Sequence, residues 1–197
     1  MLEKIIEKRR SIYNLGKKET LAPEKVVKLV EHCAKHCPTA FNSQSSRVVV
    51  LFNKHHEKLW NIALDTIKKI IPAEAFVKTE QKVNSCFKSG YGTILYFEED
   101  NTTKNLQEKF PLYKDNFPIW AEQASGMLQN LIWISLAEKD VGASLQHYNP
   151  LINGMVKKEW NIPESWRLIA QMPFGSIEAP ADKKDFIPIK ERVKIYK

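Results

Sequence analysis

Two arginines and a serine stand together near the start of the sequence, as Arg9-Arg10-Ser11. Guanidinium groups beside a hydroxyl can hold a phosphate through charge-assisted hydrogen bonds. The same residues are typical of a cation cluster at the C-terminal end of a helix, where positive charge interacts favourably with the helix dipole. Spacing alone does not distinguish an anion site from this helix-end role.

A second basic cluster lies at the other end of the sequence. Its members are Lys183, Lys184, Lys190, Arg192, Lys194 and Lys197. A solvated tail is one interpretation of such a charge run. The other is that both basic ends of the sequence meet at a single anion.

Two polar segments lie next to predicted strands. Asn42-Ser43-Gln44 precedes a β-branched strand from Arg47 to Phe52, and Gln146-His147 lies at the end of a shorter one. Asn and Gln side chains offer the donors and acceptor that the imide edge of a flavin or a nucleobase requires. His147 could donate a proton. Either segment could equally be an ordinary hydrogen-bonded turn.

The candidate metal ligands form two pairs, each one helical turn apart: His32, Cys33, His36 and Cys37. This spacing could ligate zinc. The cysteines continue the apolar stripe of Val26 and Val30, whereas the histidines fall on its flank, so the four side chains diverge. Core packing is therefore preferred, and no metal site is expected. His55-His56 is expected to be exposed to solvent, with no role.

The composition is that of an ordinary globular chain. Its 197 residues include 30 basic and 23 acidic side chains, a net charge of +7, and 43% are hydrophobic. The length predicts one domain over residues 1–197. The seven glycines form no dinucleotide-binding, P-loop or hydrolase-elbow motif.

No apolar run approaches the roughly 20 residues of a membrane span, so no membrane partner is expected. The first ten residues mix charged and aliphatic side chains, which is unlike a secretory signal. Three cysteines do not form a disulfide framework. These features predict a cytoplasmic protein.

Hydrophobic periodicity predicts an α+β fold with mixed strands. The predicted helices are Leu2 to Arg10, Pro23 to Cys37, Glu57 to Ile71, Ala73 to Phe87 and Ile119 to Glu138. The predicted strands are Arg47 to Phe52, Thr93 to Phe97, Ala143 to Gln146, Leu168 to Met172 and Val193 to Lys197. The predicted helix from Ile119 to Glu138 is apolar on nearly every side from Met127 onward, which indicates a helix buried all round or lying in a subunit interface.

In their order along the chain, these motifs resemble the nitroreductase family of flavoproteins. The resemblance rests on Arg9-Arg10-Ser11, Pro38 to Arg47, Gly142 to Pro150 and Met172 to Gly175. Gly90 to Thr93 and Leu106 to Tyr113 are similar to a small branch found in bacteria and fungi, which includes the fatty-acid-repression-type and copper-induced nitroreductases. The similarity extends from about Ile5 to Lys194.

This resemblance implies an FMN-dependent enzyme that oxidises NAD(P)H. The expected fold is a mixed, mainly antiparallel sheet flanked by helices. An intertwined homodimer is expected, with the C-terminal segment crossing to the partner and two active sites at the interface. Hydride would pass through flavin N5 in a ping-pong cycle to nitroaromatic or quinone-like acceptors. The flavin would carry the chemistry, so no catalytic side chain is required.

The resemblance also implies which residues hold the cofactor. Arg9-Arg10-Ser11 would contact the FMN phosphate and ribityl chain, and Asn42-Ser43-Gln44 would border the isoalloxazine of the partner's site. Gln146-His147 would lie near N5 and O4 and act through backbone N–H groups, possible modulators of the flavin. Lys184 and Arg192 are the two candidates for a C-terminal cation on the phosphate. Tyr13 stands where relatives often have a second arginine.

A basic nucleic-acid-binding or regulatory module without flavin is the alternative function. It is suggested by a pI of about 9.2, the two basic ends and five tryptophans. The positive charge is modest and spread along the chain, however, and the tryptophans mostly lie in apolar periodic segments. The expected partners are therefore a second copy of the chain and small-molecule electron acceptors, rather than nucleic acid.

Overall fold

The computed structural model describes residues 2–197, which contain eight α-helices and five strands. The helices are α1 (Leu2–Lys8), α2 (Pro23–His36), α3 (Asn53–Ile67), α4 (Ala73–Cys86), α5 (Asp100–Lys109), α6 (Asn116–Glu138), α7 (Asn153–Trp160) and α8 (Ile189–Arg192). The strands are β1 (Leu15–Gly16), β2 (Ser46–Phe52), β3 (Gly92–Glu99), β4 (Gly142–Ala143) and β5 (Trp166–Ile177).

The strands form one sheet in the order β1-β5-β3-β2, and β4 also pairs with β5. All four strand pairs are antiparallel. An isolated parallel bridge joins Ser11 to Ala143. The predicted α+β fold with a mixed, mainly antiparallel sheet is therefore confirmed.

Helices cover both faces of the sheet. Alternate residues of β3 point to opposite sides, and both sets are apolar, so each face needs a covering layer. Leu95 and Phe97 pack in a core with α3 and α4, where Trp60 is fully buried. Ile94 and Tyr96 pack in a second core with α2 and α6. The central strand is thus buried from both sides.

The 23-residue helix α6 is only partly buried in this chain. Leu128, Ile132 and Leu136 face the core, whereas Ile119 and Met127 are about half exposed. The expectation of burial on all sides is therefore wrong for the single chain, and the exposed apolar stripe favours the interface alternative. Neither α6 nor any other helix in residues 2–197 is long and apolar enough to span a membrane.

The predicted final strand from Val193 to Lys197 is wrong. These residues have no regular secondary structure and follow the short helix α8. A strand needs a neighbouring strand to satisfy its backbone hydrogen bonds, and no strand within residues 2–197 pairs with the segment. Ile195 and Tyr196 are left largely exposed.

His56 is buried, so the expectation that it is solvent-exposed is also wrong. Its Nδ1 lies 2.8 Å from Thr93 Oγ1, and its Nε2 lies 3.2 Å from the Lys88 carbonyl oxygen. Trp60 Nε1 donates to the same threonine hydroxyl over 3.0 Å. That hydroxyl is then free to donate to Nδ1 while Nε2–H donates to Lys88, so the network fits a neutral imidazole. Burial lowers the pKa of His56 to about 4.

The depressed pKa predicts an acid-sensitive fold. In the unfolded chain His56 takes up a proton near pH 6.5, whereas in the folded chain it does so only near pH 4. Stability is therefore retained above pH 6.5 and falls toward pH 4, by up to about 3 kcal/mol from this group. Urea unfolding across this range should show the loss. His56→Gln should flatten the slope, and the exposed-site control His36→Gln should not. Equal slopes in both variants would contradict this account.

Candidate functional site

A concave site forms where the N-terminal motif meets the segment that follows β5. The cavity has a volume of about 330 Å³ and is lined by Arg9-Arg10-Ser11 from one end of the chain and Lys183-Lys184 from the other. The Arg10 guanidinium donates to the Asp182 carbonyl oxygen over 2.5 Å, which joins the two segments. The structure thus brings together four of the predicted site residues: Arg9, Arg10, Ser11 and Lys184.

Arg9 lies over the indole ring of Trp133 on α6, with 4.5 Å between the guanidinium carbon and the ring centroid. Burial, and secondarily the charge of Arg10, lower the pKa of Arg9. Within residues 2–197, no carboxylate forms an ion pair with Arg9. A partly desolvated cation without a counter-charge favours an anion in this cavity.

The sheet fixes the position of the N-terminal motif. Ser11 is bridged to Ala143 of β4, and the Ile12 N–H donates to the Ala143 carbonyl oxygen over 2.9 Å. β4 in turn pairs with β5 at Gly175. A Cβ on Gly175 would collide with the Gly16 carbonyl oxygen, so this close approach of β1 and β5 requires glycine.

Gln146-His147 lies beyond β4, where the chain leaves the sheet. The Gln146 backbone donates to and accepts from Gln171, over 2.7 and 2.9 Å. Its N–H is therefore committed to the sheet, which corrects the expectation that it is a donor to a ligand. The N–H of His147 forms no hydrogen bond within residues 2–197 and stays the available backbone donor of this stretch. The His147 side chain is exposed.

The Asn42-Ser43-Gln44 loop is a separate feature, and none of its residues lines the cavity described above. Asn42 and Gln44 have positive φ angles of 50° and 47°, which are strained for residues other than glycine. The Gln44 N–H donates to Thr39 Oγ1 over 3.1 Å, and Arg47 donates to the Gln44 carbonyl oxygen over 2.6 Å. The loop is therefore held at a fixed shape while its amide side chains stay exposed.

An aromatic cluster lies beside this loop, and no sequence motif had indicated it. Phe41, the residue just before the loop, has its ring centroid within 4.9–6.0 Å of four others, those of Phe110, Tyr113, Phe117 and Trp120. In sequence these four follow one another at three- and four-residue steps, a helical spacing that could have identified them. Phe41 is 49% exposed and Tyr113 is 40% exposed, so the cluster presents aromatic surface to solvent.

The two candidates for the C-terminal cation lie in different places. Lys184 lines the cavity, whereas Arg192 lies on the exposed helix α8 and does not. Tyr13 and Asn14 also line the cavity, although sequence analysis assigned neither a role. Beyond Lys184 the chain exposes six large apolar side chains: Phe186, Ile187, Ile189, Val193, Ile195 and Tyr196.

The histidine and cysteine pairs of α2 diverge as the helical spacing predicts. Cys33 Sγ lies 3.5 Å from Ser135 Oγ on α6, and burial raises the pKa of this thiol. His32 and His36 stay exposed with their ring centroids 4.5 Å apart. No group of three or more histidine, cysteine or carboxylate side chains in residues 2–197 is placed to hold a metal ion.

Comparison with known proteins gives consistent matches. The Nitroreductase family matches residues 6–176. Nitroreductase FRM2 of Saccharomyces cerevisiae is 30% identical over 184 residues, which is 92% of this chain and 91% of that protein. A nitroreductase from Desulfitobacterium hafniense, solved with bound FMN, is 14% identical with a TM-score of 0.72, covers 100% of this chain and 98% of its own, and shows the fold alone.

A closer structural match is nitroreductase CinD from Lactococcus lactis. Its complex with chloramphenicol superimposes with a TM-score of 0.92 at 44% identity, and its complex with 4-nitrophenol with a TM-score of 0.91 at 45% identity. Each alignment covers 100% of both chains. The match to the family over residues 6–176, together with these relatives, shows that the chain belongs to the nitroreductase family of oxidoreductases.

Proposed function

We propose that this protein is an FMN-dependent NAD(P)H oxidoreductase that reduces nitroaromatic or quinone-like acceptors. The observation that carries the proposal is the cavity in which Arg9-Arg10-Ser11 meets Lys184. Family membership supplies the reaction class, and the cavity supplies a phosphate site of the kind that FMN requires.

The donor set of the cavity fits a phosphate monoester. Two guanidinium groups, the Ser11 hydroxyl and two ammonium groups offer several donors to three phosphate oxygens. Arg9 needs a counter-charge, which a phosphate dianion provides. The convergence of both basic ends on one cavity also supports a small anion over a nucleic-acid duplex.

The remaining motifs fit the ring end of the same cofactor. When bound, FMN supplies two-electron chemistry, in which hydride from NAD(P)H is accepted at N5 and then passed to the acceptor in a separate half-reaction. The His147 N–H is the available donor of its stretch. The exposed amides of Asn42 and Gln44 supply the donors and acceptors that the imide edge requires.

The aromatic surface of Phe41, Tyr113 and Trp120 supports a flat, electron-poor acceptor. It lies next to the Asn42-Ser43-Gln44 loop, and aromatic rings gain energy by stacking in offset arrangements. One solved relative, CinD, carries 4-nitrophenol in its structure. In this proposal the protein excludes water and orients the two substrates in turn, and no side-chain nucleophile takes part.

We further propose a homodimer whose C-terminal segment packs on the partner. The six apolar side chains after Lys184 are exposed in the single chain, as are Ile119 and Met127 on α6. Large apolar side chains exposed in such numbers are typical of a surface that a partner covers. The phosphate cavity and the Asn42-Ser43-Gln44 loop lie apart on one chain, which is consistent with active sites completed by a second copy.

Inorganic phosphate should stabilise the protein through Arg9 and Lys184. At ten times its Kd, one bound phosphate adds about 1.4 kcal/mol to the free energy of unfolding, or about 4 °C in Tm for a chain of this size. Arg192→Gln should keep this increase, whereas Lys184→Gln should reduce it, because Lys184 lines the cavity and Arg192 does not. Thermal melts in phosphate and in chloride of equal ionic strength measure the difference. Equal responses of the two variants would contradict the assignment of Lys184.

The purified protein should bind FMN, and its flavin absorbance should bleach on addition of NADH or NADPH. Initial rates with a nitroaromatic acceptor should give parallel double-reciprocal lines. Arg9→Gln should weaken FMN binding roughly thirtyfold, since losing a charged hydrogen bond in a partly buried site costs about 2 kcal/mol. Arg192→Gln is the matched control. A wild-type chain that stays colourless with added FMN and gains no thermal stability would overturn the proposal.

A charge placed on the exposed face of α6 should disrupt association. Met127→Glu puts a carboxylate on the apolar stripe, and burying that charge in an interface without a partner is unfavourable. We expect this variant to elute as a monomer at concentrations where the wild type is a dimer, as measured by light scattering on a sizing column. Ile70→Glu, at another exposed isoleucine, is the control. Dimers of unchanged stability in Met127→Glu would exclude α6 from the interface.

A further inference from the structure

A buried polar cluster lies directly beneath the loop that precedes β2. Glu98 on β3 is fully buried and is the register partner of Ser46 on β2. The Ser46 hydroxyl donates to Glu98 Oε1 over 2.5 Å. The preceding residue, Ser45, is also buried, and its hydroxyl acts on the same carboxyl group. Three polar side chains thus meet at one site, where Glu98 and Ser45 are buried and Ser46 is half-buried.

Two atoms of this cluster, Glu98 Oε2 and Ser45 Oγ, have no hydrogen-bond partner among residues 2–197. Unpaired polar atoms are unfavourable in a protein interior. A proton on Oε2 would let the carboxyl group donate to Ser45 Oγ and would satisfy both atoms at once. The cavity that Ser45 lines has a volume of only about 10 Å³, at or below the volume that a water molecule needs, and Glu98 is not among the residues that line it.

The charges around Glu98 also favour its neutral form. Arg167 on β5 is the cation that acts on it, but this guanidinium is already paired with Asp100 over 3.1 Å and with Glu122 over 2.8 Å. Glu122 on α6 is itself a carboxylate that opposes a second negative charge. Burial is the main cause that raises the pKa of Glu98, and Glu122 adds to it, while the hydrogen bond from Ser46, the nearby Ser45 hydroxyl and the charge of Arg167 oppose the shift.

The cluster anchors one end of a strained loop. Ser45 follows the Asn42-Ser43-Gln44 loop directly, and its carbonyl oxygen accepts from the Glu99 N–H over 3.0 Å. The positive φ angles of Asn42 and Gln44 persist only if the surrounding structure holds them. Thr39 fixes the loop from its N-terminal side by accepting a hydrogen bond from the Gln44 N–H. The Glu98 cluster fixes its C-terminal side through the hydrogen bond from Ser46.

We propose that Glu98 is a positioning residue that acts as a neutral acid, bridging Ser45 and Ser46 so that the Asn42-Ser43-Gln44 loop is preset for the flavin ring. The inference rests on the proposed function for the role of the loop. Glutamine has the same shape as the neutral acid: its oxygen accepts from Ser46 and its NH₂ donates to Ser45. Glu98→Gln should therefore preserve the arrangement, and Glu98→Ala should remove it.

FMN binding and flavin circular dichroism of Glu98→Gln and Glu98→Ala test this role. Glu99→Gln, at the next residue, is the control. Glu98→Gln should bind FMN within about twofold of wild type, and Glu98→Ala about tenfold more weakly with an altered flavin signal, since two buried hydrogen bonds are lost. Ser45→Ala, a smaller change, should weaken binding in the same direction and keeps the test open if Glu98→Ala does not fold. The inference would be overturned if Ser45→Ala and Glu98→Ala both bound FMN as tightly as wild type. It would also be overturned if Glu98→Gln bound FMN as weakly as Glu98→Ala.

Protonation is read separately, without flavin. An infrared difference spectrum between wild type and Glu98→Gln at pH 7 should contain the C=O stretch of a protonated carboxyl group. Because the folded state raises the pKa of Glu98, its contribution to stability is present at low pH and is lost as pH rises from the ordinary glutamate range. Glu98→Gln should remove this loss. If Glu98 gave a carboxylate band in a protein that binds FMN, only this inference would be refuted. If Glu98 were protonated in a protein that binds no FMN, the proposed function would be refuted, and the role of the loop with it.

Discussion

The proposed site depends first on how the fold places the guanidinium group of Arg9. It is pressed against Trp133, has no carboxylate partner in residues 2–197, and lies beside the second cation Arg10. Two adjacent cations in a partly desolvated site repel each other unless an anion offsets their charge. The fold holds them there by fixing Trp133 on α6 and Ser11 on the sheet. An anion bound in the cavity, as proposed, would offset this repulsion.

β5 organises both the cavity and the polar segment beyond β4. It pairs with β1, β3 and β4, and its Gln171 also forms the bridge with Gln146. The buried Gln171 side chain accepts from the Tyr148 N–H over 2.7 Å and donates to Asn149 Oδ1 over 3.3 Å. His147 is thus flanked on both sides by residues that Gln171 holds. A backbone donor positioned in this way loses little freedom when a ligand binds, which is the general advantage of preorganised sites.

The local sequence pattern was sufficient to predict the elements whose packing and backbone hydrogen bonds are completed within the chain. The β-branched run of β2, the apolar run of β3 and the Val26-Val30-Cys33 face of α2 all lie where periodicity places them. The meeting of the two basic ends was one of two interpretations of the charge pattern, and it holds for Lys183 and Lys184 but not for the later basic residues of the tail.

Features that depend on a distant partner could not be predicted in this way. His56 is buried because Thr93 and Lys88, more than thirty positions away, supply its hydrogen bonds. Gln146 loses its free N–H to Gln171 for the same reason. The segment from Val193 onward has strand-like residues but no neighbouring strand to pair with in this chain. In each case the sequence shows which hydrogen bonds a residue can form, and only the tertiary structure shows which partner forms them.

In a single chain the parts of the proposed site lie apart. The cavity proposed for phosphate lies at the N-terminal motif, the exposed amides lie on the strained loop, and apolar side chains of α6 and the C-terminal segment face solvent. In the proposed dimer, burying these apolar side chains would bring the loop of one copy to the cavity of the other. The same association would then supply both stability and a complete site. By thermodynamic linkage, whatever the second copy adds to cofactor affinity the cofactor returns to dimer affinity, so folding, assembly and FMN binding become parts of a single equilibrium.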